Sequence, residues 1–425
     1  MENKNRVATL NKSVMISLFG NGLEWYDFTI FGYFAPILGR NFFPNNVPYL
    51  SVLSTLAVLT VGFISRPIGA YVLGKMGDQY GRKRALLFSI FLMAISTALM
   101  GVLPTYETAG IIAPIFLITL RILQGFSLGG EFTSSLTFLF EHAPRHKKGF
   151  IGAWAFSGAY LGSIFGATIS IILTVILSEQ ELYKWGWRIP LILGFFIAIT
   201  GFYLRRKVEE SPSFLQLKNS HSLVKNPLKE IAKQHYKQIL QTIGLLLPNT
   251  VWAYVFVFLP TYLTEMKKWN FSSSIFINFV PSIFLFLFLP VAGRFSDIFG
   301  RKKILYLGQC GLIFLSPFAF YVFEKGYVTN VIAMQLMIAL FYSFSYGPLA
   351  ALMAELFPTN VRNTAVAISY NLATGIFGGI TPLALSYFTL HFGFMYGSLI
   401  YLSGSSLIGI ISLLSMKQKR QYVLG

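Results

Sequence analysis

The chain of 425 residues contains a single cysteine, Cys310. One thiol closes no intramolecular disulfide and builds no thiolate metal site, and within an apolar run it is expected to be a small buried hydrophobe. Charge is scarce as well. Asp, Glu, Lys and Arg make up 12% of the residues, and only 16 of those side chains are acidic. The five histidines (His142, His146, His221, His235, His391) fall in connections or at the edges of apolar runs, without nucleophile–histidine or metal-ligand spacing. An enzyme is therefore not expected, nor a cofactor. Nucleotide-driven pumping is not expected either, because no phosphate-binding Gly-x-x-x-x-Gly-Lys-Ser/Thr stretch occurs. With so little polar surface the composition cannot coat a soluble domain.

What the chain has instead is apolar length. Hydrophobic residues reach 54%, including 42 Phe, gathered in runs near the roughly 20 residues that cross a bilayer as a helix. Twelve such runs are read at 13–38, 50–75, 85–104, 110–140, 150–177, 189–204, 239–264, 274–292, 304–323, 328–354, 364–390 and 394–416. Each must be helical, because an unpaired backbone amide in lipid costs several kcal/mol. The first is too long and too polar for a cleaved signal peptide. A net charge of +18 would ordinarily point to nucleic acid, yet its placement does not. With both ends and alternate connections assigned to the cytoplasm, 26 of the 34 Lys and Arg fall on that side. Arg40, Lys184, Arg188, Lys267, Lys268 and Lys325 lie outside, and Arg66 and Arg121 lie within runs. This is the positive-inside asymmetry of a multi-pass membrane protein, so both termini are read as cytoplasmic; a bacterial inner (plasma) membrane is the expected location. The basic charge then serves topology and attraction to anionic lipid, not nucleic acid.

One stretch is repeated. Gly74-Lys75-Met76-Gly77-Asp78-Gln79-Tyr80-Gly81-Arg82-Lys83-Arg84 returns as Gly293-Arg294-Phe295-Ser296-Asp297-Ile298-Phe299-Gly300-Arg301-Lys302-Lys303, at a constant offset of 219. Each copy joins two apolar runs, where glycine permits a sharp turn and the basic cluster must stay in water or headgroups. A second, weaker echo sets Glu141, Pro144, Arg145 and Lys148 against Glu355, Pro358 and Arg362, with Lys148 matched to Arg362. Repeats of about half the chain imply two homologous halves, here 1–204 and 239–425, joined by the polar linker 205–238. Within the linker, the basic and partly amphipathic segment Pro227–Gln238 suits a membrane surface. The paired motif resembles the loop signature of the major facilitator superfamily. That resemblance implies an all-α integral membrane protein of twelve transmembrane helices, in two pseudo-symmetric six-helix bundles about a central cavity. It also implies a gate in which Asp78 with Arg82, and Asp297 with Arg301, brace the inward ends of the bundles. A merely topogenic basic loop is the plainer alternative.

The charges inside the runs carry the chemistry. Glu24 and Asp27 share a face of the first helix, with Asn21 one turn earlier. Embedded carboxylates each cost about 2.5–3.5 kcal/mol on insertion scales and are functional by default. Two close acids in a poorly hydrated cavity oppose each other's charge, which is what a proton carrier requires; a permanently paired acid that only fixes packing is the structural alternative. Arg66, in Ser65-Arg66-Pro67-Ile68-Gly69, must face the interior and pair with an acid or an anionic solute group. Pro67 is expected to bend that helix. On the fourth helix Arg121, Gln124, Leu128, Glu131 and Ser135 form one stripe. Arg121 and Glu131 stand about 15 Å apart along the axis and cannot pair with each other. Arg121 is expected to meet Glu24 or Asp27, and Gly125, Gly129 and Gly130 to permit close helix contact.

A closer resemblance rests on Gly20-Asn21 with Glu24-Trp25-Tyr26-Asp27-Phe28, Arg66-Pro67-Ile68-Gly69, Arg121-x-x-Gln124-Gly125 and Gly129-Gly130-Glu131. Tyr346-Gly347-Pro348, Glu355-Leu356-Phe357-Pro358, Tyr370-Asn371 and Gly378-Gly379-x-Thr381-Pro382 extend it over essentially the whole chain. Together these resemble the metabolite:proton symporter family, which implies proton symport of proline, glycine betaine, citrate, 2-oxoglutarate or shikimate. An osmosensing member of that family has a further C-terminal coiled coil. No heptads follow the last run here, a departure that bears on osmotic sensing and not on transport. The second half carries no charge deep within its runs, and its inward residues are expected to be Trp252, Tyr254, Tyr342, Tyr346 and Asn371. An arginine half facing an aromatic half suits a small zwitterion, carboxylate to arginine and ammonium to ring faces.

The expectation is thus a monomeric symporter driven by the proton gradient, with a small organic solute and the proton as its partners and the bilayer as its solvent. A zwitterion such as proline or glycine betaine is favoured over a carboxylate metabolite. Proton coupling is assigned to Asp27, Glu24 and Glu131. Solute binding is assigned to Arg66, Arg121, Gln124, Trp252, Tyr346 and Asn371, and gating to Asp78, Arg82, Asp297 and Arg301.

Overall fold

The computed structural model describes residues 2–46, 48–206, 210, 212–220, 227–265, 267–392 and 394–416. Helices cover every one of the twelve apolar stretches. We label them α1 (Glu2–Tyr33, continued by Ala35–Phe42), α2 (Pro48–Tyr80), α3 (Arg82–Gly101), α4 (Ile112–His142), α5 (Lys148–Ile176) and α6 (Arg188–Arg206). The second set is α7 (Tyr236–Glu265), α8 (Phe271–Phe299), α9 (Arg301–Lys325), α10 (Val328–Tyr346, then Leu349–Leu356), α11 (Arg362–Leu372, then Gly379–Phe392) and α12 (Phe394–Ser415). Two short helices, Pro212–Asn219 and Pro227–Gln234, lie in the linker. Among the described residues, eight helices are long and apolar enough to cross a membrane. A ninth results if Glu179–Gly186 and Arg188–Tyr203, bent by 49°, are one span. The π-turns Leu182–Gly186 and Ala373–Gly378 were not expected from the sequence. Helix α2, by contrast, runs through Pro67 as one helix.

Packing repeats as the sequence does. In the first bundle α1 packs on α5, α2 on α4, and α3 on α4 and α6. In the second, α7 packs on α11, α8 on α10, and α9 on α10 and α12. Adding six to each helix number turns the first set into the second, which is the two-bundle arrangement expected of the repeat. The bundles meet along two main seams, α5 with α8 and α2 with α11, which the same operation exchanges. Large side chains such as Ile64, Phe91, Val175, Phe196, Phe314 and Leu414 stay exposed on the outside, where lipid covers them. Cys310 is exposed as well, so the sequence expectation of a buried thiol is corrected: it stands on an outer helix face.

In both copies of the repeated motif the last glycine makes the turn. Gly81 has φ 109° and Gly300 φ 97°, each immediately before a helix, a conformation that a Cβ would strain.

Candidate functional site

Close backbone approach puts Arg66 in place. A Cβ on Gly69 would fall on the Phe126 carbonyl, and one on Gly125 on the Gly62 carbonyl, so α2 and α4 touch main chain to main chain. Arg66 then turns toward α1, where Nη2 lies 3.5 Å from Glu24 Oε1 with both side chains buried. Its guanidinium rests over the Phe63 ring at 4.1 Å. Phe63 in turn packs edge-on against Phe28 at 5.2 Å and against Tyr254 of the second bundle at 5.3 Å. The sequence expected Tyr254 to face inward but missed Phe28 and Phe63, because a Phe-rich chain offers no signal for which of its phenylalanines do.

One turn along α1, Asp27 anchors a second buried set. Arg121 donates to Gln124 Oε1, and Gln124 Nε2 donates to Asp27 Oδ2. Thr97 donates to the same carboxylate oxygen and accepts from Gln124 Nε2 at 2.9 Å. Arg121 therefore reaches Asp27 through Gln124 and not directly as the sequence suggested, since Gln124 sits one turn away on the same face. The Arg121 guanidinium lies 3.8 Å above the Phe31 ring. Thr97 was also missed; a lone threonine in an apolar run reads as a weak signal. Glu131, wholly buried, meets the Ser89 hydroxyl at 3.3 Å.

Across the interface the second bundle offers rings. Tyr346 stacks on Phe156 with centroids 3.8 Å apart, and Tyr370 on Phe132 at 4.7 Å. Tyr370 and Tyr254 lie within electrostatic reach of Glu24 and Arg66. Trp252 is buried in a core cluster that draws on both bundles. Asn371 donates to the Gly129 carbonyl at 2.6 Å and the Ala367 carbonyl at 2.8 Å, so it ties α11 to α4. A cavity opens between α1 and α5 on one side and α7 and α8 on the other. Trp25, Thr29, Tyr160, Ser163, Asn278 and Ser282 are among its lining residues. None of Arg66, Arg121, Gln124, Trp252, Tyr346 and Asn371 lines it.

The motif aspartates stand at the two seams. Asp78 accepts from the backbone N–H of Thr364 at 3.2 Å and from its hydroxyl. Asp297 accepts from the N–H groups of Gly149 and Phe150, both at 2.9 Å. Each carboxylate thus meets the first turn of a helix in the opposite bundle, where the helix dipole favours an anion. Arg301 pairs with Asp297 at 2.7 Å and Glu355 at 3.2 Å, and Arg362 with Glu141 across the seam at 3.1 Å. The Arg82 side chain lies outside the described residues. The next basic group, Lys83, receives Glu210 of the linker on its backbone N–H at 3.3 Å.

The family model described as Major Facilitator Superfamily matches residues 17–382 and 269–422. A glycine betaine/proline/ectoine/pipecolic acid transporter of Dickeya dadantii is 33% identical over 419 residues, covering 96% of this chain and 83% of that protein. The proline/betaine transporter of Salmonella typhimurium is 33% identical over 419 residues, covering 96% and 84%. Among solved structures, a proton:xylose symporter bound to 6-bromo-6-deoxy-D-glucose superposes with TM-score 0.79 at 18% identity, covering 96% and 95% of the two chains. At that identity the likeness speaks to the fold alone.

Proposed function

We propose, from the premise that this chain belongs to the Major Facilitator Superfamily, that it moves a small zwitterion such as proline or glycine betaine together with protons. It is a membrane transporter and not an enzyme. The relatives named for proline and betaine transport support the solute class. Coupling rests on one observation above all. Buried acids and arginines are held in two adjacent sets inside the first bundle, Glu24–Arg66, which lies beside Phe63 and Tyr254, and Asp27–Gln124–Arg121.

Asp27 is the first proton carrier in this reading and Glu24 the second. Protonating Glu24 frees Arg66 to hold a solute carboxylate, while neighbouring aromatic faces take the ammonium. Proton and solute then bind in a linked way. Loading both neutralises the interior, and an uncompensated charge is costly to enclose, so the loaded protein is the one that changes state. The protein acts as a monomer in the inner membrane with both termini in the cytoplasm. Neither a metal nor a cofactor has a part in the scheme.

The test is uptake of labelled proline and glycine betaine into proteoliposomes under a pH gradient. Accumulation that collapses when the gradient is dissipated supports the proposal; competition by citrate or shikimate, with none by betaine, would turn it toward a carboxylate metabolite.

A further inference from the structure

A polar seam runs between α3 and α4 inside the first bundle, away from the aromatic cavity. At one end, Gln124 and Thr97 hold Asp27. One turn along α4, Ser127 donates to the Ser89 backbone carbonyl. The Ser89 hydroxyl lies 3.0 Å from the Leu86 carbonyl and 3.3 Å from Glu131 Oε2. Gln124, Ser127 and Glu131, spaced three and four, share one face of α4, and Thr97 and Ser89 stand about two turns apart on α3. Asp27, Ser89, Thr97, Gln124, Ser127 and Glu131 are all buried. From Gln124 to Glu131 is about 10 Å along the axis, and Ser89 is about as far again from the cytoplasmic start of α3.

A Cβ on Gly129 would strike the Arg66 carbonyl, and one on Gly130 the Leu73 side chain, so α2 closes that side of α4. Glu131 is a wholly buried acid within a span, and embedded acids are functional by default, yet the scheme above gives it no step.

We propose that Glu131 is a proton relay. A proton leaving Asp27 passes by the Thr97 hydroxyl and intervening waters to the Ser89 hydroxyl, which hands its own to the Glu131 carboxylate, and from there to the cytoplasmic end of the first bundle. Each hydroxyl or intervening water gives one proton and takes one, so the step leaves Asp27 charged and Glu131 neutral. Proton and solute thereby leave by separate routes, one through the bundle and one between the bundles. The inference rests on the proton-coupling reading of Asp27.

Proteoliposomes with a pH dye inside and labelled solute outside test it. Glu131→Gln should slow net pH-driven uptake of both proton and solute by about tenfold or more. Solute exchange at equal pH, in which no proton need leave Asp27, should hold within about twofold. Glu131→Asp should recover most of the net rate. Equal losses in net uptake and exchange, or no loss in either, overturn the relay. Should Glu131→Gln fail to insert, Ser89→Ala is read by the same two rates. Asp27→Asn runs beside them. If it still accumulates solute, the reading of Asp27 on which the relay rests falls; if it does not, and Glu131→Gln is unimpaired, only the relay falls.

Discussion

Asp297 Oδ2 accepts the backbone N–H of Phe150 at 2.9 Å, and Asp78 Oδ2 accepts that of Thr364 at 3.2 Å. The two contacts are images of each other. Asp78 and Asp297 are related by the motif offset, and Phe150 and Thr364 by the shorter echo that matches Lys148 to Arg362. Each seam between bundles is pinned at one end by a carboxylate on the first turn of a helix, and both pins are closed here together.

Replacing that carboxylate by an amide keeps the shape and removes the charge. Hydrogen bonds to charged groups exceed neutral ones by about 1 kcal/mol, so Asp78→Asn or Asp297→Asn should raise the population with open seams about fivefold. Labelling of a cysteine placed beside Thr364, in a Cys310→Ser background, reads this directly. Transport should slow while membrane insertion stays normal. Unchanged labelling and turnover would leave the motif a topogenic loop.

Asp27→Asn should abolish accumulation under a pH gradient and spare solute exchange, because an amide oxygen still accepts from Thr97 and Gln124. Asp27→Glu should keep part of the coupling. Continued accumulation by both Asp27→Asn and Glu24→Gln would defeat the assignment.

Glu24 and Arg66 are buried together, so each needs the other. Breaking a buried pair from one side costs about 3–5 kcal/mol, and Glu24→Ala or Arg66→Ala alone should depress the unfolding temperature sharply. The double substitution should be milder than the sum of the two. Additive losses would mean that the pair, at 3.5 Å, contributes little.

Asn371 separates a tie from a binding group. As a tie between α11 and α4, its change to Ala should alter the maximal uptake rate and leave the solute KM nearly unchanged. A KM raised by tenfold or more, about 1.4 kcal/mol of lost binding, would return Asn371 to the solute site.

Much of the fold was written in the chain order itself. Apolar run lengths, the basic asymmetry and an eleven-residue motif recurring at an offset of 219 are local or periodic signals. Lipid enforces them, because it permits no unpaired backbone. Embedded charges were equally plain, since each is an exception in an apolar run. Which group each charge meets was beyond the sequence. Arg66 finds Glu24 forty-two residues away because Gly69 and Gly125 let α2 and α4 touch. Arg121 reaches Asp27 only through Gln124, and Asp78 finds its partner 286 residues on. Nor could the cavity's lining be read, for rings that pack and rings that line a chamber look alike in a chain with 42 Phe. The sequence by itself determined that charges are buried and where along the chain they sit, because burial in lipid is a property of each helix. Only the tertiary structure decided their pairing, because a buried charge takes whichever donor or acceptor the packing of other helices brings within reach.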